Sequence, residues 1–138
     1  MKHIRLVALA LVLAALPLSA ADAPHGDKPP LPKTVKNAGP DEFDRLRALT
    51  NTVVLDVRTE KEFKAGHIPG AVNLDFNSPD FAKQAGALDK SKTYLVHCAG
   101  GVRSAKACGV MDKIAFTNVV NLEPGFKAWE KAGKPIQK

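Results

Sequence analysis

Apolar residues recur along the chain in short bursts of two alternating kinds. Phe43, Leu46 and Leu49 stand at helical spacing behind Gly39-Pro40, so residues 41–49 read as a helix with one buried stripe. Residues 53–57 form a β-branched apolar run with polar flanks, the pattern of a strand buried on both faces. Thr59 and Glu62 then have capping-box spacing and open a second helix that Gly66 ends. His67-Ile68-Pro69-Gly70 is a turn and residues 71–74 a short strand. Ser78-Pro79 opens a helix running to about Ala85. Residues 93–97 are a buried strand, 104–114 an Ala-rich helix, 119–122 another strand, and 126–132 a last helix stopped by Gly133 and Pro135. Such alternation predicts an α/β fold: three layers, with a parallel sheet between helices on both faces. Ligands of such sheets bind beyond the carboxyl ends of the strands, which directs attention to the residues after Val57 and after His97.

The amino-terminal residues break this rhythm. Lys2 and Arg5 precede an unbroken apolar run at 6–16, Pro17 interrupts it, and Ser19-Ala20-Ala21 supplies small residues. The run is short of the roughly 20 residues a bilayer span needs, so residues 1–21 read as a cleaved export signal and the expected location is periplasmic or secreted, with no membrane attachment after cleavage. Residues 22–33 hold four of the ten prolines and no apolar period, a flexible lead to a domain at 34–138.

The whole chain has 138 residues, 45% hydrophobic and 25% charged, the balance of one globular domain. Its net charge is +6, about +4 without Lys2 and Arg5, and no basic run with interleaved aromatics accompanies it. The expectation from that charge is no nucleic-acid partner and a small anionic ligand. Two cysteines are too few to build a scaffold of disulfides.

One loop carries the chemistry. Cys98-Ala99-Gly100-Gly101-Val102-Arg103 links the strand 93–97 to the helix opening at Ser104. A short loop of this kind aims successive backbone amides at its own centre, a nest for an anion. Gly100 and Gly101 permit the unusual dihedrals, the following helix adds its positive end, and Arg103 adds a forked cation. That field favours a reactive thiolate at Cys98. Cys98 and Arg103 are thus the candidate catalytic residues, and Ala99, Gly100, Gly101, Val102 and Ser104 the candidate substrate-binding ones. Asp56 and Arg58, ending the neighbouring strand, either support the loop or form an ordinary ion pair, Glu62 being a possible third member. Cys108 lies among Ala105, Ala107 and Val110 and reads as a packed thiol that does not bridge to Cys98. His67 reads as a turn brace, His97 and Trp129 as core. The histidines lack ligand spacing with either cysteine, which argues against zinc.

The loop resembles that of the rhodanese family, in which Cys, two variable residues, Gly, one variable residue and Arg follow in order; Cys98, Gly101 and Arg103 match. Residues 54–58, Glu62-Phe63 and 66–71 are similar to the family's upstream signature, and 121–126 with Trp129 and Ala132-Gly133 to its closing one. Ala99 and Gly100 depart from relatives that place basic or hydroxyl residues there, and Pro124 from the usual glycine. The resemblance implies sulfur transfer through a persulfide on Cys98, from a small anionic donor such as thiosulfate to a thiol or cyanide, with no metal or cofactor. Related phosphatases and arsenate reductases carry one more residue between Cys and Arg. The shorter loop here implies a bowl sized for one sulfur atom. A non-catalytic binding module is the remaining alternative.

Overall fold

The computed structural model of the protein describes residues 28–138. The expected export segment, residues 1–21, and the first part of the lead lie outside the described residues. Ten elements follow: β1 (Val35–Ala38), α1 (Pro40–Arg47), β2 (Thr52–Asp56), α2 (Glu60–Ala65), β3 (Val72–Asn73), α3 (Phe81–Gly86), β4 (Thr93–His97), α4 (Val102–Lys113), β5 (Val119–Leu122) and α5 (Phe126–Lys131). The strands form one parallel sheet in the order β1-β5-β4-β2-β3. The α/β architecture with helices on both faces is therefore the one the alternating pattern implies.

Strand periodicity divides the core in two. Leu55, Tyr94 and Val96 face Ala107, Cys108 and Met111 of α4 and Phe81 of α3. Val54, Leu95 and Leu122 face Phe43 of α1 and Phe126 and Trp129 of α5. Leu95 and Val96 on the central strand are both fully buried. Truncating such side chains typically costs about 2–5 kcal/mol, so the sheet is a stiff base for whatever its upper loops carry. Trp129 is core, its indole N–H donating to Pro135 O at 2.8 Å. His67 braces its turn, stacked on Phe63 and paired through its backbone with Gln137.

Three local features differ from the sequence expectation. β1 forms from Val-Lys-Asn-Ala, whose buried-exposed-exposed-buried pattern gives too little apolar signal to mark a strand; it is an edge strand held by β5 alone. α3 starts at Phe81, because Ser78 and Pro79 are spent in a preceding turn in which Ser78 O accepts from Phe81 N. α4 starts at Val102, two residues earlier than Ser104, which places Ser104 in its first turn. Among the described residues no helix is long and apolar enough to cross a membrane.

Candidate active site

β2 and β4 are adjacent, with Asp56 in register with His97, so the two strand ends singled out by the fold argument open on the same place. The loop 98–101 begins there. Cys98 is only 1% exposed, and its Sγ accepts the Gly101 N–H at 3.1 Å. Gly101 has φ +102, a conformation open to glycine and strained for other residues, and that conformation is what turns its amide toward the sulfur. Ser104 Oγ lies 3.5 Å from Sγ and donates to Gly101 O at 3.2 Å. The Ser104 hydroxyl can therefore accept from a thiol, or rotate to donate to a thiolate.

Beneath the loop, the turn between β5 and α5 holds its backbone. Phe126 N donates to Cys98 O at 2.8 Å and Lys127 N to Ala99 O at 3.2 Å. Cys98 O also accepts from His97 Nδ1 at 3.2 Å. Burial pushes the His97 imidazole below its ordinary value, against the pull of Asp56, whose Oδ2 lies 3.6 Å from Nε2. His97 is accordingly a neutral ring, edge-on to Phe43 and stacked on Phe126.

Asp56 and Arg58 form a buried ion pair. Arg58 Nε and Nη2 reach Asp56 at 2.7–3.1 Å, and Nη2 also reaches Gly66 O at 2.8 Å. The guanidinium lies 4.0 Å over the Phe126 ring. The pair thus braces Phe126, whose amide holds Cys98 O, and through Asp56 it also adjoins His97, which bonds the same carbonyl. Glu62 belongs to neither of them.

Arg103 instead takes Glu62. Its Nη1 and Nη2 meet Oε1 and Oε2 at 2.9 Å each, a two-pronged pair between α4 and α2. These hydrogen bonds hold the Glu62 carboxyl below its ordinary value and Arg103 above its own, so both remain charged. Sequence reasoning placed Glu62 in a capping box. Thr59 does accept from Glu62 N at 3.2 Å, but the carboxylate is given to Arg103. Of the candidate binding residues, the structure brings Gly101 and Ser104 to the sulfur. Ala99 lines a pocket of about 210 Å³ with Glu62, Phe126 and Lys127, Gly100 is exposed, and Val102 opens the helix.

Both cysteines are free thiols. Cys108 is fully buried, and burial pushes its thiol up to about 12, with the charge of nearby Cys98 adding to the rise. It stays protonated at neutral pH. A residue the sequence reading missed is Lys28, placed by the structure beside the loop and paired with Glu123. No periodicity or motif marks it.

The profile of the Rhodanese-like domain family matches residues 39–132. A tRNA uridine(34) hydroxylase of Bacillus pumilus is 33% identical over 109 residues, covering 76% of this chain and 34% of the hydroxylase. A Bacillus subtilis protein provisionally assigned as a sulfurtransferase is 35% identical over 92 residues, 67% of this chain and 86% of that protein. A rhodanese-related protein from Thermoplasma volcanium, solved by crystallography, is similar with a TM-score of 0.66 at 26% identity, covering 74% of this chain and 97% of its own. The chain thus spans about a third of the length of the tRNA uridine(34) hydroxylases it matches.

These relatives correct two expectations. The exclusion of a nucleic-acid partner falls, because several relatives are named for an action on tRNA. Its physical basis was too narrow: a charge averaged along the chain does not test what any one surface presents to a partner. The periplasmic or secreted location is overturned by the same relatives, which are named for an action on tRNA. That expectation rested wholly on residues outside the described ones.

Proposed function

This chain belongs to the rhodanese-like domain family, and from that premise we propose that it moves a sulfane sulfur from a small donor to a thiophilic acceptor through a persulfide on Cys98. Cys98 loses its proton to solvent, and Sγ attacks the outer sulfur of the donor. A new S–S bond forms as the donor's own bond to that sulfur breaks, the electron pair leaving with the remainder, which is sulfite when thiosulfate is the donor. An acceptor, cyanide or a thiolate, then attacks the outer sulfur of the persulfide and returns Cys98 as a thiolate. Gly101 N–H and the Ser104 hydroxyl, both at Sγ, steady the thiolate that begins the first displacement and that the second returns.

The observation that carries this reading is the 3.1 Å contact from Gly101 N to Sγ in a loop with only four residues between Cys98 and Arg103. That bowl suits one sulfur atom. The test is steady-state thiocyanate formation from thiosulfate and cyanide. Wild type turns over and Cys98→Ser does not; turnover by Cys98→Ser at the wild-type rate overturns the assignment.

A second reading is carried by the names of the tRNA uridine(34) hydroxylase relatives: the domain acts on tRNA. Binding of tRNA, compared with an equal mass of duplex DNA in a gel-shift titration, tests it. Preferential binding of tRNA supports this reading, and equal or absent binding removes it.

A further inference from the structure

The residues between Cys98 and Arg103 bring no cation to meet a donor. Ala99, Gly100, Gly101 and Val102 are neutral, and both prongs of Arg103 are occupied by Glu62. The segment ahead of the domain brings one in. From Thr34, whose Oγ1 donates to Asp112 Oδ1 at the far end of α4, the chain leads back past Leu31, packed on the α4-side core, to Lys28 at the opposite end. There Lys28 Nζ stands 3.5 Å from the position a Cβ on Gly101 would take, and pairs with Glu123 Oε2. Gly101 is the residue whose amide faces Cys98 Sγ. The Lys28 ammonium therefore sits at the edge of the sulfur bowl, its side chain 30% exposed, with donors left over after Glu123. Lys28 also lies outside the residues 39–132 that match the family.

We propose that Lys28, held in place by Glu123 and by the anchored segment 28–34, is the specificity-determining cation of this site and selects anionic reagents over neutral ones. In its application to thiosulfate the inference rests on the sulfur-transfer reading. The selection itself does not. A single ammonium near a partly solvated mouth gives about threefold for a monoanion and about tenfold for a dianion.

Iodoacetate and iodoacetamide separate charge from chemistry. Each alkylates Cys98 by forming an S–C bond as iodide departs, and they differ only by one negative charge. The full chain is treated with either reagent, and the rate at Cys98 is read by the mass of its peptide, which cleavage after Arg103 separates from the one that carries Cys108. The expected result is a threefold fall in the iodoacetate-to-iodoacetamide rate ratio for Lys28→Gln, restoration of the ratio in Lys28→Arg, and no change for Lys113→Gln at the other end of α4. In parallel, persulfide formation from thiosulfate falls about tenfold in Lys28→Gln. An unchanged alkylation ratio in Lys28→Gln, or an equal fall in Lys113→Gln, overturns the role of Lys28. A wild-type protein that takes no sulfur from thiosulfate, while its alkylation ratio still depends on Lys28, overturns the sulfur-transfer reading and leaves the charge selection standing.

Discussion

Gly125 is the position where one methyl group tests how the loop is held. Its φ is +128, and a Cβ there would lie 2.6 Å from Ala99 O, 2.9 Å from Ala99 C and 3.0 Å from Cys98 O. All three are backbone atoms of the loop that begins at Cys98, so no side chain can swing away. Ordinary contact begins near 3.4 Å, so the loop in Gly125→Ala must retreat by roughly 0.8 Å or its φ must change. Either response strains the bonds from Phe126 N to Cys98 O and from Lys127 N to Ala99 O, now 2.8 and 3.2 Å. Two such bonds are worth about 1–3 kcal/mol together, and the dihedral about 1–3 kcal/mol. The expected loss of stability is thus about 2–6 kcal/mol, against less than about 1 kcal/mol for Gly100→Ala, where a Cβ meets nothing within 4 Å. Urea unfolding of both variants with wild type measures the difference. A Gly125→Ala protein as stable as Gly100→Ala would refute the claim that the β5–α5 turn fixes the loop.

Arg103→Lys keeps the charge but cannot span both Glu62 oxygens, so sulfur transfer slows by about one to two orders of magnitude; equal rates in a folded variant show that the fork is dispensable. Because burial lowers the His97 pKa in the fold, the unfolded chain takes a proton below about 6.5 that the folded chain refuses. Stability is therefore fully present above that pH and falls as pH drops from 6.5 toward 5, by at most about 1.4 kcal/mol per unit. Denaturant titrations of wild type and His97→Asn read this directly: the variant loses the slope, and an identical slope in both assigns it elsewhere. Against p-nitrophenyl phosphate the protein shows no Cys98-dependent hydrolysis, since four intervening residues leave the bowl too tight for a phosphoryl group. Hydrolysis abolished by Cys98→Ser contradicts that.

What the sequence discloses here follows from how local each signal is. β2, β4 and β5 are legible because strands buried on both faces must be apolar at successive positions, and residues 53–57, 93–97 and 119–122 nearly are. β1 is not, since an edge strand with two solvent-facing polar residues looks like loop. Cys98, Gly101 and Ser104 are legible because strand, glycine turn and helix are contiguous and place amide and hydroxyl on the sulfur without help from elsewhere. The partner of Arg103 is hidden because it lies 41 residues away, and Glu62 already has a satisfactory local explanation as a cap. Lys28 is more hidden still, joined to Glu123 across 95 residues from a proline-rich stretch without periodicity. Asp56 and Arg58 are located correctly at the strand end, yet only packing shows that they act on Phe126 and through it on Cys98 O. The partner and location expectations failed for a different reason: composition and a leader pattern describe the chain in isolation, and partners belong to the company it keeps.

The most direct test of the account is the mass of the protein after a single exposure to thiosulfate, without reductant. The expected result is one added sulfur atom, mapped to the peptide containing Cys98 and removed by cyanide, with none on Cys108 and none in Cys98→Ser. An unchanged mass, or a sulfur that persists in Cys98→Ser, contradicts the proposal that the loop following β4 is built to carry a persulfide.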